Sequence, residues 1–197
     1  MERDGVRLRP IETDDIGQLY EWHQDLELEA LTGWMPRMSR ARFERRYEDL
    51  VREPPEDFVL FGIEYDGRLV GYVELAEISR INRRAAIGFV VADRRVRRRG
   101  IGRTAVILML DYAFALEDVD RVYAEVFSFN EPSLRLLEHV GFQREGRLRQ
   151  HVVHQGRRQD VVMLGLLREE FYRRHTSIFP QPNTLFPHEE TEDHGPE

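Results

Sequence analysis

The chain predicts an α/β domain on a mixed central sheet whose parallel part lies in the middle. Three observations carry this expectation. The first part of the chain holds a meander of strands joined by a tight turn, and the second part switches to strand, helix, strand, helix, strand. Between them, an apolar strand at 85–92 runs directly into an arginine- and glycine-rich loop and a long apolar helix.

Each element has a local reason. Residues 6–11 (Val-Arg-Leu-Arg-Pro-Ile) alternate and predict a first strand. Thr13 is a helix cap with Asp14 and Asp15 in the first turn, and Ile16, Leu19, Tyr20 and His23 then share one side. Ser39 caps a second helix with Phe43, Tyr47 and Leu50 as its apolar points, and Pro54-Pro55 ends it. Residues 58–65 are rich in strand formers, Asp66-Gly67 is a hairpin signal, and 69–78 form the return strand. The run 85–92 is nearly all apolar, which predicts a central strand buried on both faces. After the loop at 93–99, Gly100-Ile101-Gly102 opens a helix to about 116. Residues 121–127 give the next strand, and Asn130-Glu131-Pro132-Ser133 opens a short helix that Gly141 closes. Strands at 147–154 and 158–166 join through Gln155-Gly156, and a last short helix includes 169–174. The domain is therefore expected over residues 1–175. The remainder, 176–197, holds four prolines and several acids and predicts a disordered or loosely draped tail.

Composition excludes several classes. No cysteine is present, so a disulfide framework, a thiolate zinc site and an acyl-cysteine intermediate are ruled out. A net charge of -7 argues against a general nucleic-acid binder. All 29 basic residues are arginine; compositional bias is the simpler reading, with bidentate phosphate recognition as the second. No apolar run approaches the roughly 20 residues of a membrane span, and Met1-Glu2-Arg3-Asp4 lacks a signal peptide's apolar core. The expected location is cytoplasmic, with no membrane or nucleic-acid partner. His188 and His194 lack metal-ligand spacing, so no metal is expected.

The most informative segment is Arg97-Arg98-Arg99-Gly100-Ile101-Gly102-Arg103-Thr104. A helix N-terminus presents unpaired N–H groups and a positive dipole end, and glycines let a phosphate approach the backbone. The flanking arginines suit a ligand with several phosphates. The pattern is not a P-loop, since no Gly-Lys-Ser/Thr follows, and the dinucleotide spacing fails at Ala105.

Arg97-x-x-Gly100-x-Gly102 between strand and helix resembles the pyrophosphate loop of the GCN5-related N-acetyltransferases. A second segment, Asn130-x-x-Ser133-x-x-Leu136-x-x-x-x-Gly141-Phe142, resembles the helix after that superfamily's fifth strand. The two lie in the family's order and spacing. Glu145-Gly146, the strand at 160–164 and Leu167-Arg168-Glu169-Glu170-Phe171 resemble the ribosomal-protein-amino-acetyltransferase branch, and the likeness covers residues 5–174. It implies a sheet of about seven strands whose fourth and fifth splay apart at a bulge, flanking helices, acetyl-CoA as co-substrate, and direct attack of an amine on the thioester. It also admits a homodimer.

Carried over by residue, the resemblance places the pantetheine arm along Phe89, Val90 and Val91 and the phosphates on the loop formed by Arg97, Arg98, Arg99, Gly100, Ile101, Gly102, Arg103 and Thr104. Asn130 would contact the cofactor arm. Many relatives hold a tyrosine where Leu137 stands; Ser133 is the nearest replacement as acid or thiolate-orienting group. Many hold a glutamate where Ala86 stands; the candidates for a base are then Glu74, Glu125 and His151, each equally readable as a solvated surface group. A lysine-like amine lies ~4.6 kcal/mol from its nucleophilic form at pH 7, an α-amine only ~1 to 1.4 kcal/mol. The missing base therefore favours a protein or peptide N-terminal α-amine as acceptor. A small-molecule amine, polyamine or aminoglycoside-like, is the enzymatic alternative, and a non-catalytic coenzyme A sensor the alternative of another class. Trp22, Trp34 and Tyr20 read equally as acceptor-cleft lining or as packing, while Asp25, Glu27 and Glu29 read as exposed charges before they read as attractors of a cationic acceptor.

Overall fold

Strand alternation and capping chemistry position most elements within a residue or two of expectation. A computed structural model of the chain describes residues 1–32 and 38–180. In chain order the elements are β1 (Glu2–Arg3), β2 (Val6–Pro10), α1 (Ile16–His23), α2 (Leu26–Thr32), α3 (Arg40–Arg52), β3 (Val59–Tyr65), β4 (Arg68–Ser79), β5 (Arg84–Val91), α4 (Ile101–Ala115), β6 (Arg121–Phe127), α5 (Glu131–Val140), β7 (Gln143–His154), β8 (Arg157–Leu167) and α6 (Arg168–Tyr172). The sheet runs β1-β2-β3-β4-β5-β6-β8-β7. Its one parallel seam joins β5 to β6, in the middle as expected. The strand beyond the expected seven is β1, whose two residues are too few to show a period.

Two local expectations change. Thr13 does not cap α1; the stretch Thr13–Asp15 forms a 3-10 turn, and the Asp15 carboxylate accepts from the Glu12 N–H at 2.9 Å. Asp15 is held there by both ends of the Arg9 guanidinium, at 2.7 and 2.9 Å. Helix α2 falls in a stretch, Leu-Glu-Leu-Glu-Ala-Leu-Thr, whose alternation mimics a strand. By contrast Ser39 caps α3 as expected, accepting from the Arg42 N–H, and Asp66 and Gly67 both take positive φ in the hairpin turn.

The period of two along β4 divides the core. Val73 and Leu75 face α4 and α5 in one apolar cluster. Tyr72, with Val90 of β5, faces Ile16, Leu19, Trp22, Leu28 and Phe43 of α1, α2 and α3 in the other. Helix α4 is apolar nearly all round and is correspondingly buried between sheet and neighbours. Its one buried charge, Asp111, is satisfied by the Tyr172 hydroxyl, the Ser177 hydroxyl and the Ile178 N–H, at 3.1, 2.7 and 2.7 Å. The first residues of the expected tail are thereby pinned to the domain; residues 181–197, with His188 and His194, lie outside the described residues. Among the described residues no helix is long and apolar enough to cross a membrane.

Candidate active site

The site begins where a seam opens. Parallel pairing of β5 and β6 covers only residues 84–86 opposite 121–123. Beyond it, β5 stays bonded to β4 as far as Val91 opposite Gly71, and β6 to β8 as far as Phe127 opposite Val161. Each strand keeps one partner, so the facing backbone edges at 87–91 and 124–127 border a gap. The irregularity accompanying the splay sits in β4, between Ala76 and Ser79, where Glu77 takes a positive φ, and not in β5 itself. The gap also corrects the expectation that β5 is buried on both faces: Ala86, Gly88, Phe89 and Val91 remain partly accessible.

At one end of the gap lies the arginine loop. Positive φ at Arg98 and Gly100 turns the chain into α4, whose N-cap glycine supplies no side chain to its first N–H groups. Gly102 allows close packing: a Cβ there would lie 3.2 Å from both Leu136 and Val91 side chains. The arginines divide by partner. Arg94 binds Asp25 and Glu27, and Arg95 binds Asp93. Arg97 donates from Nε to the Val91 carbonyl at 2.9 Å and from Nη1 to Glu27 at 3.1 Å. Arg98, Arg99 and Arg103 have no ion-pair or hydrogen-bond partner among the described residues. Three uncompensated guanidinium groups around a bare helix N-terminus fit a ligand with several phosphates. Arg97, by contrast, ties the loop to the end of β5.

Phe89, Val90, Val91, Arg97, Arg98, Gly100, Ile101, Gly102, Arg103, Asn130 and Ser133 all line one cleft. Arg99 and Thr104 stand off its wall; the Thr104 N–H is bonded to the Gly100 carbonyl at 3.0 Å within the first turn of α4. A second pocket shares Phe89, Val90, Asn130, Ser133, Leu31 and Thr32 with the first, and adds Tyr72, Glu74 and Glu125. The two pockets thus meet across the end of α5 and the open edge of β5. Asn130 fixes this corner: its Oδ1 accepts from the Ser133 N–H and its Nδ2 donates to the Leu31 carbonyl, at 3.3 and 3.2 Å. Leu137, fully buried, forms an apolar wall.

Glu74 enters this second pocket from β4, opposite Gly88. A Cβ at Gly88 would stand 2.8 Å from Glu74 Oε1, so the glycine makes the room that the carboxylate occupies. Burial holds its proton affinity above the ordinary carboxylate value. Tyr72, two residues away on the same face, has its phenol pushed well up by burial first, then by Tyr47 and Glu74. Tyr47 on α3 is pushed up to about 12, by burial and then Glu74. Both phenols are therefore neutral at physiological pH. Glu125 is exposed on β6 at the pocket rim. His151 is exposed on β7, within the irregularity between Leu148 and Val152, and lines neither pocket.

Sequence reasoning missed Tyr72 and the α2 wall. The alternation of Tyr72 with Glu74 was a usable signal for the first; Tyr47 was read only as an apolar point of its helix. Trp22 and Tyr20 pack rather than line either pocket, Trp22 within the α1–α3 cluster and Tyr20 edge-on to Phe43 at 5.4 Å, while Trp34 lies outside the described residues. Asp25 and Glu27 are ion-paired, and Glu27 is exposed as expected. No group of three or more metal-ligating side chains occurs among the described residues.

Comparison with known proteins agrees with this geometry. The family model described as acetyltransferase (GNAT) domain matches residues 6–143. Spermidine N(1)-acetyltransferase of Vibrio cholerae is 27% identical over 170 residues, covering 86% of this chain and 96% of that protein. The crystal structure of spermidine N-acetyltransferase from Vibrio cholerae in complex with CoA and spermine matches with a TM-score of 0.80 at 26% identity, over 86% of this chain and 99% of the other. A putative ribosomal N-acetyltransferase of Bacillus subtilis is 32% identical over 127 residues, 64% of this chain and 66% of that protein. The chain belongs to the GNAT family and is an N-acetyltransferase that takes its acetyl group from acetyl-CoA.

Proposed function

We propose that this enzyme acetylates a small cationic amine of the polyamine class. Glu74 carries the reading: a half-buried carboxylate, basic for its kind, in a pocket that opens onto the cofactor cleft. The preference for an N-terminal α-amine rested on the lack of a base. With Glu74 available, the ~4.6 kcal/mol deficit of a lysine-like amine loses its force as an objection, because a positioned carboxylate of raised pKa accepts that proton more readily. Its charge also draws an ammonium into the pocket, and Glu125 at the rim offers a second anion for a second ammonium. The two spermidine N-acetyltransferase comparisons, each covering 86% of this chain, support the same class.

Acetyl-CoA supplies the acetyl thioester. Arg97, Arg98 and Arg103, which line the cleft, hold its phosphates with the α4 N-terminus, and backbone N–H groups on the open edge of β5 polarise the carbonyl oxygen. Glu74 takes the proton from the attacking nitrogen. Ser133, at the junction of the pockets, orients or protonates the departing sulfur. Family membership and acetyltransferase relatives favour this catalytic reading over a coenzyme A sensor.

A panel of acceptors assayed for released thiol tests the proposal. Turnover of spermidine and spermine, with none on N-terminal peptides, is the expected result. The Bacillus subtilis relative favours a second reading, a ribosomal-protein N-terminus; turnover confined to peptides would establish it and overturn the first.

A further inference from the structure

Helix α2 is tied at both ends to parts of the cofactor cleft. Before its start, Asp25 Oδ1 accepts from the Glu27 N–H at 2.9 Å, and both Asp25 oxygens lie 2.8 Å from Arg94 Nη2. Glu27 lies 2.8 Å from Arg94 and 3.1 Å from Arg97. At the other end, Leu31 is held by Asn130. Between these ties, Leu31 and Thr32 wall both pockets. Moving α2 therefore changes the acceptor pocket as well as the cofactor cleft.

Glu27 is out of character in its setting. It lines the cleft together with Arg97, Arg98 and Gly100, an acid among groups suited to phosphate. A phosphate arriving there and the Glu27 carboxylate are two anions drawn to one guanidinium, that of Arg97, which lines the cleft and pairs with Glu27. The Glu27 side chain is 51% exposed, so burial does not lock its ion pairs and their exchange is cheap.

We propose that Glu27 is a positioning residue with opposite effects on the two substrates: it competes with the cofactor phosphates for Arg97, and through Arg94 and Arg97 it holds α2 in place as a wall of the acceptor pocket. The acceptor half of this inference rests on the polyamine reading; the cofactor half does not.

The test is Glu27→Gln. Calorimetric titration with acetyl-CoA should show binding about two- to fivefold tighter, the scale of an exposed ion pair, while the KM for spermidine rises by a similar factor with kcat little changed. A merely structural role would weaken both or change neither. A second variant, Arg94→Gln, removes the tie to α2 without leaving a freed cation, so spermidine KM should rise with no gain in acetyl-CoA affinity. Unchanged or weaker acetyl-CoA binding in Glu27→Gln overturns the proposal. If the unaltered enzyme does not turn over spermidine, the polyamine reading fails while the acetyl-CoA titration still decides the competition.

Discussion

Ala86 and Tyr123 form the last rung of the parallel seam between β5 and β6, and everything that makes the site follows from the pairing ending there. Two residues further along β5, Gly88 is bonded across to the strand that carries Glu74, while its other edge borders the gap. The carboxylate that Ala86 does not provide thus reaches the same gap from the neighbouring strand. This arrangement depends on the missing side chain at Gly88.

Gly88→Ala should therefore be an activity variant rather than a folding variant. The added Cβ meets Glu74 Oε1 at 2.8 Å, the far end of a flexible side chain that can swing away. Turnover should fall about tenfold or more, in line with loss of a positioned general base. Acetyl-CoA affinity, measured by calorimetry, should hold. Loss of both together would mean that the gap itself had been distorted.

Glu74→Gln tests the base directly through pH. The carboxyl holds its proton to higher pH than an ordinary glutamate because burial disfavours its charge. Since a base must be ionised, kcat/KM in the unaltered enzyme should drop as pH falls through this raised value, and the variant should lose that limb along with about a hundredfold of activity. Stability should move the other way. A carboxyl whose folded-state pKa exceeds its unfolded one stabilises the fold only at low pH, and that contribution is lost as pH rises through the folded value. At pH 7.5 the neutral glutamine should thus raise Tm, read by thermal unfolding.

How far the sequence reaches is visible in these residues. Gly100, Gly102, Asn130 and Ser133 were legible because each acts through local backbone chemistry, a turn or a cap, which leaves a fixed spacing. Glu74 was legible only as one candidate of three, since its neighbour Gly88 is 14 positions away and strand register is not written in either segment. His151 looked equivalent by residue type, yet the β7 irregularity leaves it on an exposed edge. Arg97 matched a motif position, but its bonds to Val91 and Glu27 need the third dimension. Helix α2 showed in the sequence only as exposed charges, and its place as a pocket wall needs the fold.

The partition of the arginines predicts a graded response in cofactor binding. Arg98→Gln removes a guanidinium that has no internal partner, and a lost charge-assisted bond to phosphate is worth about 1.5–3 kcal/mol. Acetyl-CoA affinity should weaken at least about tenfold. Arg95→Gln removes one already committed to Asp93 at 2.7 Å, and titration should find the affinity close to that of the unaltered enzyme. Equal losses in the two variants would show that the loop attracts phosphate as a diffuse positive field.

Ser133 tests the departing-group side of the reaction. Its backbone N–H is spent on Asn130 as the helix cap, whereas its hydroxyl stands where the pockets meet and Leu137 beside it is apolar. Ser133→Ala keeps the cap, because the cap bond uses the backbone, so folding and acetyl-CoA affinity should be unchanged. The turnover rate should fall about tenfold, below the usual range of general acid–base effects because solvent can supply the proton more slowly. Asn130→Asp is the informative partner. The acidic side chain still accepts from the Ser133 N–H but cannot donate to Leu31, so it should raise the KM for amine through α2 without the drop in turnover. If Ser133→Ala turned over at the normal rate while Asn130→Asp did not, the corner would act by shaping the pockets and the thiolate would leave without help from the protein.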